Sequence, residues 1–398
     1  MNDLVQIRKS GAPRRILIIS PTPTHPTTAG NRVRILALVK ALISLGHEVH
    51  LAFLRTASGD EEAMRTLLGG RFYPLSYTLP KRSRSLRERI EDAWFGFRDP
   101  TYRHTLRIDD WFNPWALSRI SDLHTQHHFD AVMVEYVFFS RALECFGPDV
   151  LKIVDTHDVF TDRHQLFLRE GRQPEWFSTT RREEARGLRR ADVVVAIQDM
   201  ERAFFSEISG RKTVTVGHLV PLRPSHRGRS PGSCMLFVAS LNPVNNDALD
   251  FLLAEILPLV RARLPEARLL LAGRICEVVA DQPGVVKLGV LPDLALAYAQ
   301  ADVVVVPMRF GTGLNIKSIE ALAHGMPLVA TSNGSKGIEA TPPIFLTGDT
   351  PEAFADAVVR ICNDAELAAR LSHDASVFAE SWNARHVAAL DAIIRGTE

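Results

Sequence analysis

The chain alternates between short unbroken apolar runs and longer stretches with helical spacing. ILIIS at 16–20 opens with four consecutive apolar residues, as in a strand buried on both faces of a parallel sheet. A loop rich in Pro and Thr follows as far as Gly30. In NRVRILALVKALISLG the apolar residues Ile35, Leu38, Val39 and Leu42 recur at helical intervals, and Gly46 stands where a helix C-terminus belongs. EVHLAF at 48–53 predicts the next strand, which completes a βαβ unit. Further strands are predicted at 131–134, 151–155 and 192–197, then at 235–239, 268–272, 285–288, 303–307 and 328–330. Helices separate most of them, for example at 247–264 and 293–300. The near-identical ADVVV segments at 191–195 and 301–305 each open a buried strand after a helix. They read as equivalent positions in two Rossmann-like domains.

The stretch 220–233 is rich in Pro, Gly, Arg and Ser and has no apolar period, which marks an interdomain linker. It divides a first domain, 1–220, from a second, 221–378. A tail at 379–398 carries Trp382, Val387, Leu390 and Ile394 at helical spacing and is expected to pack back on the first domain. A length of 398 residues suits two cores better than one.

A formal net charge of +1 gives no global signal for a nucleic-acid partner. The N-terminus is polar and basic with no apolar core, and runs such as 303–308 are too short to cross a bilayer. The four cysteines form no CxxC pair, which argues against a disulfide framework or a zinc site. The expectation is a cytoplasmic enzyme. One stretch, 81–115, breaks the alternation by mixing Lys and Arg with Trp94, Phe95, Phe97, Trp111, Phe112 and Trp115. It reads as a helical insertion with a solvated basic face, or as an element that binds acceptor or touches the inner face of a membrane.

Ligands of open α/β sheets lie beyond the carboxyl ends of the strands. After 303–307 the chain reads PMRFGTGLNIKSIEALAHGMPLVAT. Gly311 and Gly313 flank Thr312 just before a helix expected to begin near Leu314, an arrangement that lets backbone N–H groups approach a phosphate. Lys317 and Glu320 share a face of that helix. The lysine suits charge on a diphosphate, and the carboxylate suits ribose hydroxyls. The plain alternative is a glycine-rich helix entry with a surface ion pair. His124, His127 and His128 share a helix face, but a solvated helix explains them better than a metal. No GxGxxG, GxSxG or Walker pattern occurs, which disfavours a dinucleotide cofactor.

The segment 235–330 resembles the donor half of retaining glycosyltransferases of family 4, the glycosyltransferase group 1 enzymes. The resemblance is carried by the donor loop above, by LFVASLNPVNNDALDFLLAEILPLVRARLPEARLLLAG and by VVKLGVLPDLALAYAQADVVVVP. It implies an α/β GT-B fold with two doubly wound Rossmann-like domains facing a central cleft. It also implies a nucleotide diphosphate-sugar donor on the second domain, acceptor on the first, and no metal or other cofactor. Glu320 matches the glutamate that meets the donor ribose, and Gly313, Leu314 and Asn315 match the loop around sugar and diphosphate. Where many members carry a second glutamate this chain has Thr312, and 240–246 lacks the Arg and Lys expected there. Arg274 or Lys317 would supply the missing charge.

In the first domain, Gly30 and Arg34 resemble the family's opening glycine loop and arginine. Glu135, after one buried strand, and His157-Asp158, after the next, resemble its cleft-facing acid and His-Asp pair. Glu135 would orient or deprotonate the acceptor hydroxyl. His157 would bond donor sugar or acceptor, with Asp158 as its orienter or as a helix N-cap. The implied acceptor is a carbohydrate, a lipid-linked glycan or a small molecule. Two other readings are a catalytically silent nucleotide-sugar-binding or scaffold protein, and a sugar-nucleotide epimerase on the same frame.

Overall fold

The computed structural model describes residues 12–81, 83–223, 232–311 and 313–397. The chain divides into two compact units. One comprises Leu38–Gly217 with 12–26 and 388–397; the other comprises His218–Val387 with Thr27–Ala37.

The first unit holds seven parallel strands in the order β3-β2-β1-β4-β5-β6-β7. They are β1 Arg15–Ser20, β2 Glu48–Leu54, β3 Phe72–Leu75, β4 Ala131–Glu135, β5 Leu151–Asp155, β6 Val193–Ala196 and β7 Lys212–Thr215. The second holds six parallel strands in the order β10-β9-β8-β11-β12-β13. These are β8 Cys234–Val238, β9 Arg268–Ala272, β10 Val285–Gly289, β11 Val303–Val306, β12 Leu328–Ala330 and β13 Leu346–Thr347. The apolar runs explain the central strands: Ile16 to Ile19, Val132 to Val134 and Val303 to Val306 are all at most 2% exposed.

The helices, in chain order, begin with α1 Gly30–Ser44, α2 Glu61–Leu68, α3 Leu86–Arg98 and α4 Trp115–His127. Then come α5 Arg163–Arg169, α6 Arg181–Leu188, α7 Asp199–Ser209, α8 Pro243–Phe251 and α9 Leu257–Arg263. The last are α10 Ala295–Tyr298, α11 Ile316–Ala323, α12 Pro351–Asn363 and α13 Ala365–Arg395. One π-helical turn, Leu252–Ile256, joins α8 to α9, so the helix expected at 247–264 is continuous. No helix among the described residues is long and apolar enough to cross a membrane.

Three features depart from the sequence reading. First, the two ADVVV segments do not occupy equivalent places. β11 lies beside β8, the first strand of its sheet, as β4 lies beside β1, whereas β6 stands two places further out. The shared letters encode a local device instead. Asp192 Oδ2 accepts from Lys152 N and Asp302 Oδ2 from Cys234 N, both at 2.9 Å, which fixes the start of the neighbouring strand. Asp130, before β4, does the same for Arg15 N at 2.7 Å. Second, the strands β3, β7 and β13 were not anticipated; each is a sheet edge, and their short or polar sequences, such as KTVT, lack a buried run. Third, residues 27–37 group with the six-stranded unit, so the partition is not a single cut at 220. Most of the expected linker, 224–231, falls outside the described residues.

The tail at 379–398 is the end of α13. Within the six-stranded unit, Trp382 Nε1 donates to His218 O (2.8 Å), and the Asn383 amide pairs with both N and O of Val220 (3.1 and 2.6 Å). Within the seven-stranded unit, Asp391 meets His47 Nε2 at 3.4 Å, and Arg395 Nη1 donates to Ala12 O.

Candidate active site

Two constellations stand at the carboxyl ends of strands, one in each unit. In the six-stranded unit, β11 runs into Met308, Arg309 and Phe310. Gly311 follows with φ 136° and Gly313 with φ 76°, conformations that L side chains rarely adopt. Thr312 lies outside the described residues. Leu314 is buried. The helix α11 starts at Ile316, two residues beyond the expected Leu314. Asn315, at its N-cap, turns its amide to Asn333 O (2.8 Å) and does not cap the helix. The N–H groups of the first turn thus receive no carboxamide oxygen from Asn315, which suits an anion.

Lys317 reaches back across this loop. Its Nζ donates to Asn245 Oδ1 (2.6 Å), sits 3.4 Å from Met308 Sδ and lies 5.5 Å from the Phe237 ring centre. Asn245 is in the first turn of α8, and its own amide donates to Ser240 O at 2.7 Å. The ammonium therefore stands at 240–246, the loop that lacks a cation of its own. Burial lowers Lys317 to about 8, with the Glu320 charge opposing the shift. Burial raises Glu320 to about 7, and Lys317 pulls the other way. The Glu320 carboxylate accepts no hydrogen bond and makes no ion pair among the described residues. The surface Lys–Glu pair considered as the plain alternative is not formed.

Two other cations near these loops are engaged. Arg309 grips Asp247 with two bonds (2.9 and 2.6 Å). Arg274 is exposed and bidentate to Glu277 (2.9 and 3.1 Å). Gly273, just before it, has φ 100°, and a Cβ there would lie 2.3 Å from Ala239 O, so the loops after β8 and β9 touch backbone to backbone. Gly30 opens α1 beside the same helix entry: a Cβ on it would lie 3.1 Å from Ile316 Cδ1. Arg34 is 1% exposed, against His218, which burial and then the Arg34 charge lower to about 3.

In the seven-stranded unit, Glu135 ends β4 and pairs in register with Asp155, which ends β5. Both are fully buried. His157 Nε2 lies 2.6 Å from Glu135 Oε2 and 3.5 Å from Asp155 Oδ2. Its ring stacks on Tyr136 at 4.0 Å between centres. Both Tyr136 (φ 71°) and His157 (φ 63°) have positive φ, a strain of about 1–3 kcal/mol each that structures retain mostly at functional positions. Trp176, half exposed and with φ 67°, sets its ring perpendicular to Tyr136 at 5.4 Å.

Asp158 neither orients His157 nor caps a helix. It pairs with Arg163 Nη1 at 2.8 Å, and the N-cap of α5 is Asp162. The carboxylates that hold the imidazole are Glu135 and Asp155. Asp155 was not singled out from sequence, although an acid closing a buried strand was a usable signal. Glu184 was missed as well. It is buried on α6 and accepts from Phe160 N (2.9 Å) and Thr161 N (2.7 Å), which pins the loop that carries His157. Glu135, Asp155 and His157 are also a group whose ligand atoms lie within 4.8 Å of one another. The 2.6 Å contact between His157 Nε2 and Glu135 Oε2 is a hydrogen bond. Of the three histidines expected to share a helix face, only His124 and His127 lie on α4, since His128 is its left-handed C-cap; His127 bonds Tyr73 Oη (2.9 Å) and His124 Nδ1 accepts from Phe129 N (3.3 Å).

Comparisons with known proteins agree with this architecture. Residues 232–364 match the family described as Glycosyl transferases group 1. A D-inositol 3-phosphate glycosyltransferase of Paenarthrobacter aurescens (strain TC1) is 33% identical over 119 residues, 29% of this chain and 28% of that protein. A second, from Corynebacterium glutamicum (strain R), is 31% identical over 94 residues, 23% of this chain and 22% of that protein. The chain thus matches about a quarter of the length of these relatives. Among solved structures, sucrose-phosphate synthase of Thermosynechococcus elongatus superposes with a TM-score of 0.66 at 17% identity, over 96% of this chain and 97% of that one. Pneumococcal O-GlcNAc transferase GtfA, in complex with UDP and GlcNAc, gives 0.65 at 11% identity, over 96% and 99%. Anabaena HepE, in complex with UDP and glucose, gives 0.61 at 14%, over 96% and 99%. Residues 232–364 are thus similar to the group 1 glycosyl transferases, and the fold of the chain is GT-B.

Proposed function

We propose that this chain is a retaining glycosyltransferase that moves a sugar from a nucleoside diphosphate-sugar to a hydroxyl acceptor. The observation that carries this reading is the single turn of α11 that offers an open carboxylate, Glu320, and a cation, Lys317, lodged on the loop after β8. The diphosphate lies against the uncapped first turn of α11, and Glu320 accepts from the ribose hydroxyls. Lys317 and the helix terminus balance the charge that grows on the leaving group. Arg274, engaged by Glu277, has no part in this reading.

In the reaction, the bond between sugar C1 and the β-phosphate oxygen breaks, and its electron pair goes to that oxygen. The acceptor oxygen bonds to C1 on the same face, and its proton passes to the departing phosphate. His157, held by Glu135, hydrogen-bonds a hydroxyl of the acceptor or of the donor sugar. The UDP complexes of GtfA and HepE make uridine donors the first to try.

The test is release of nucleoside diphosphate from a panel of nucleotide sugars, with and without a panel of glycan and glycolipid acceptors. Acceptor-dependent release that Lys317→Met abolishes and Arg274→Ala spares supports the reading. Binding without release would favour a silent nucleotide-sugar-binding protein, and isomerised donor in the absence of acceptor would favour an epimerase.

A further inference from the structure

The helix α3 is built inside out. Its sequence is LRERIEDAWFGFR, and none of its residues is buried. At about 100° per residue, Leu86, Ile90, Trp94 and Phe97 form one stripe along it. An ordinary surface helix turns such a stripe to the core. Here the four side chains are 73%, 63%, 53% and 86% exposed.

The acidic face is the one turned inward. Arg107 binds Glu91 (3.1 Å) and Asp92 (2.9 Å), and Arg84 binds Asp92 at 3.2 Å. Phe95, opposite the stripe, stacks on Tyr102 at 5.2 Å. A capping box between Ser85 and Glu88 fixes the helix start. These contacts hold the helix against rolling its apolar face inward. The margins of the stripe are basic. Arg89 lies on one side and makes no ion pair among the described residues. Arg87 and Arg98 lie on the other, and the Arg98 guanidinium covers the Trp94 ring at 4.6 Å.

We propose that α3 is an interfacial helix that docks this chain on an anionic phospholipid surface, with Leu86, Ile90, Trp94 and Phe97 entering the headgroup–acyl boundary and Arg89 and Arg98 meeting lipid phosphates. An apolar centre with cationic margins complements a surface that is apolar within and negative at its rim. A second copy of the same stripe would set arginine margins against arginine margins. The proposal is independent of the sugar-transfer reading, since no residue assigned to the donor or acceptor lies on α3.

The test is flotation of the full chain with phosphatidylcholine vesicles and with phosphatidylcholine–phosphatidylglycerol vesicles, at low and high salt. Binding is expected only to the anionic vesicles and should weaken with salt. Ile90→Ser with Phe97→Ser, and separately Arg89→Glu with Arg98→Glu, should each reduce it about tenfold or more. These side chains are exposed, so circular dichroism and the melting temperature should be unchanged. Failure to float with anionic vesicles, or undiminished binding by the Ile90/Phe97 variant, overturns the proposal. So does a concentration-dependent dimer that this variant abolishes without any vesicle binding, which would assign the stripe to a second copy.

Discussion

The ammonium of Lys317 stands 2.6 Å from Asn245 Oδ1, so the helix after β11 supplies a cation to the loop after β8. In the proposed function, Lys317 takes the role left open at 240–246. Replacing Lys317 by Met keeps most of the side-chain length and removes the charge. Nucleoside diphosphate affinity should fall about tenfold to a hundredfold, the range for losing a charge-assisted bond of about 1.5–3 kcal/mol. Calorimetric titration reads this directly, and an affinity within twofold of the native protein would remove Lys317 from the donor site.

The same lysine predicts a pH dependence. With Lys317 held at about 8, its charge disappears as pH rises through that value in the free protein. A bound diphosphate favours the charged form, so binding above about 8 should take up a proton. Titrations in buffers of different ionisation enthalpy would reveal it, and Lys317→Met should abolish the uptake. In the free protein the unfolded chain binds more protons than the native one between this value and the ordinary 10.5, so the contribution of Lys317 to stability rises with pH over that window. Glu320, at about 7, is increasingly neutral below that value, so ribose binding through an ionised carboxylate should weaken in acid.

His157 is expected to act in turnover and not in holding the nucleotide. His157→Ala should lower kcat by about 10²-fold, the order of loss when a reacting group is mispositioned. Its nucleoside diphosphate affinity should stay within twofold. A variant that loses both equally would point to a structural role for the imidazole on Glu135.

Glu184 carries a prediction about position. It accepts from the backbone of Phe160 and Thr161, just after His157. Glu184→Ala strands two N–H groups in the interior and should cost about 2–5 kcal/mol of stability. Urea unfolding measures the loss, and a midpoint unchanged from the native protein would show that the loop does not depend on this carboxylate.

The central architecture was legible because burial on both faces writes an unbroken apolar run; β5 and β9 fall at the residues expected from LKIVD and RLLLA. Edge strands bury one side only, so KTVT and the two residues of β13 leave no such mark. The repeated ADVVV misled because an aspartate ahead of a buried strand meets a local need, the first N–H of the next strand, wherever in the sheet it falls. Within the candidate site, glycines and a Lys–Glu spacing could be read from one segment. The reach of Lys317 to Asn245 and the choice of Asp155 over Asp158 beside His157 could not, since both depend on contacts across long stretches of chain. The outward turn of α3 was equally hidden, because an amphipathic pattern does not say which face meets the protein.

The most direct measurement is a crystal structure of the chain with a nucleoside diphosphate at saturating concentration. The account predicts phosphate oxygens within hydrogen-bond distance of the backbone N–H groups after Gly313 and of Lys317 Nζ, with the ribose hydroxyls on Glu320. A nucleotide bound away from α11, with Glu320 still without a ligand, would contradict it.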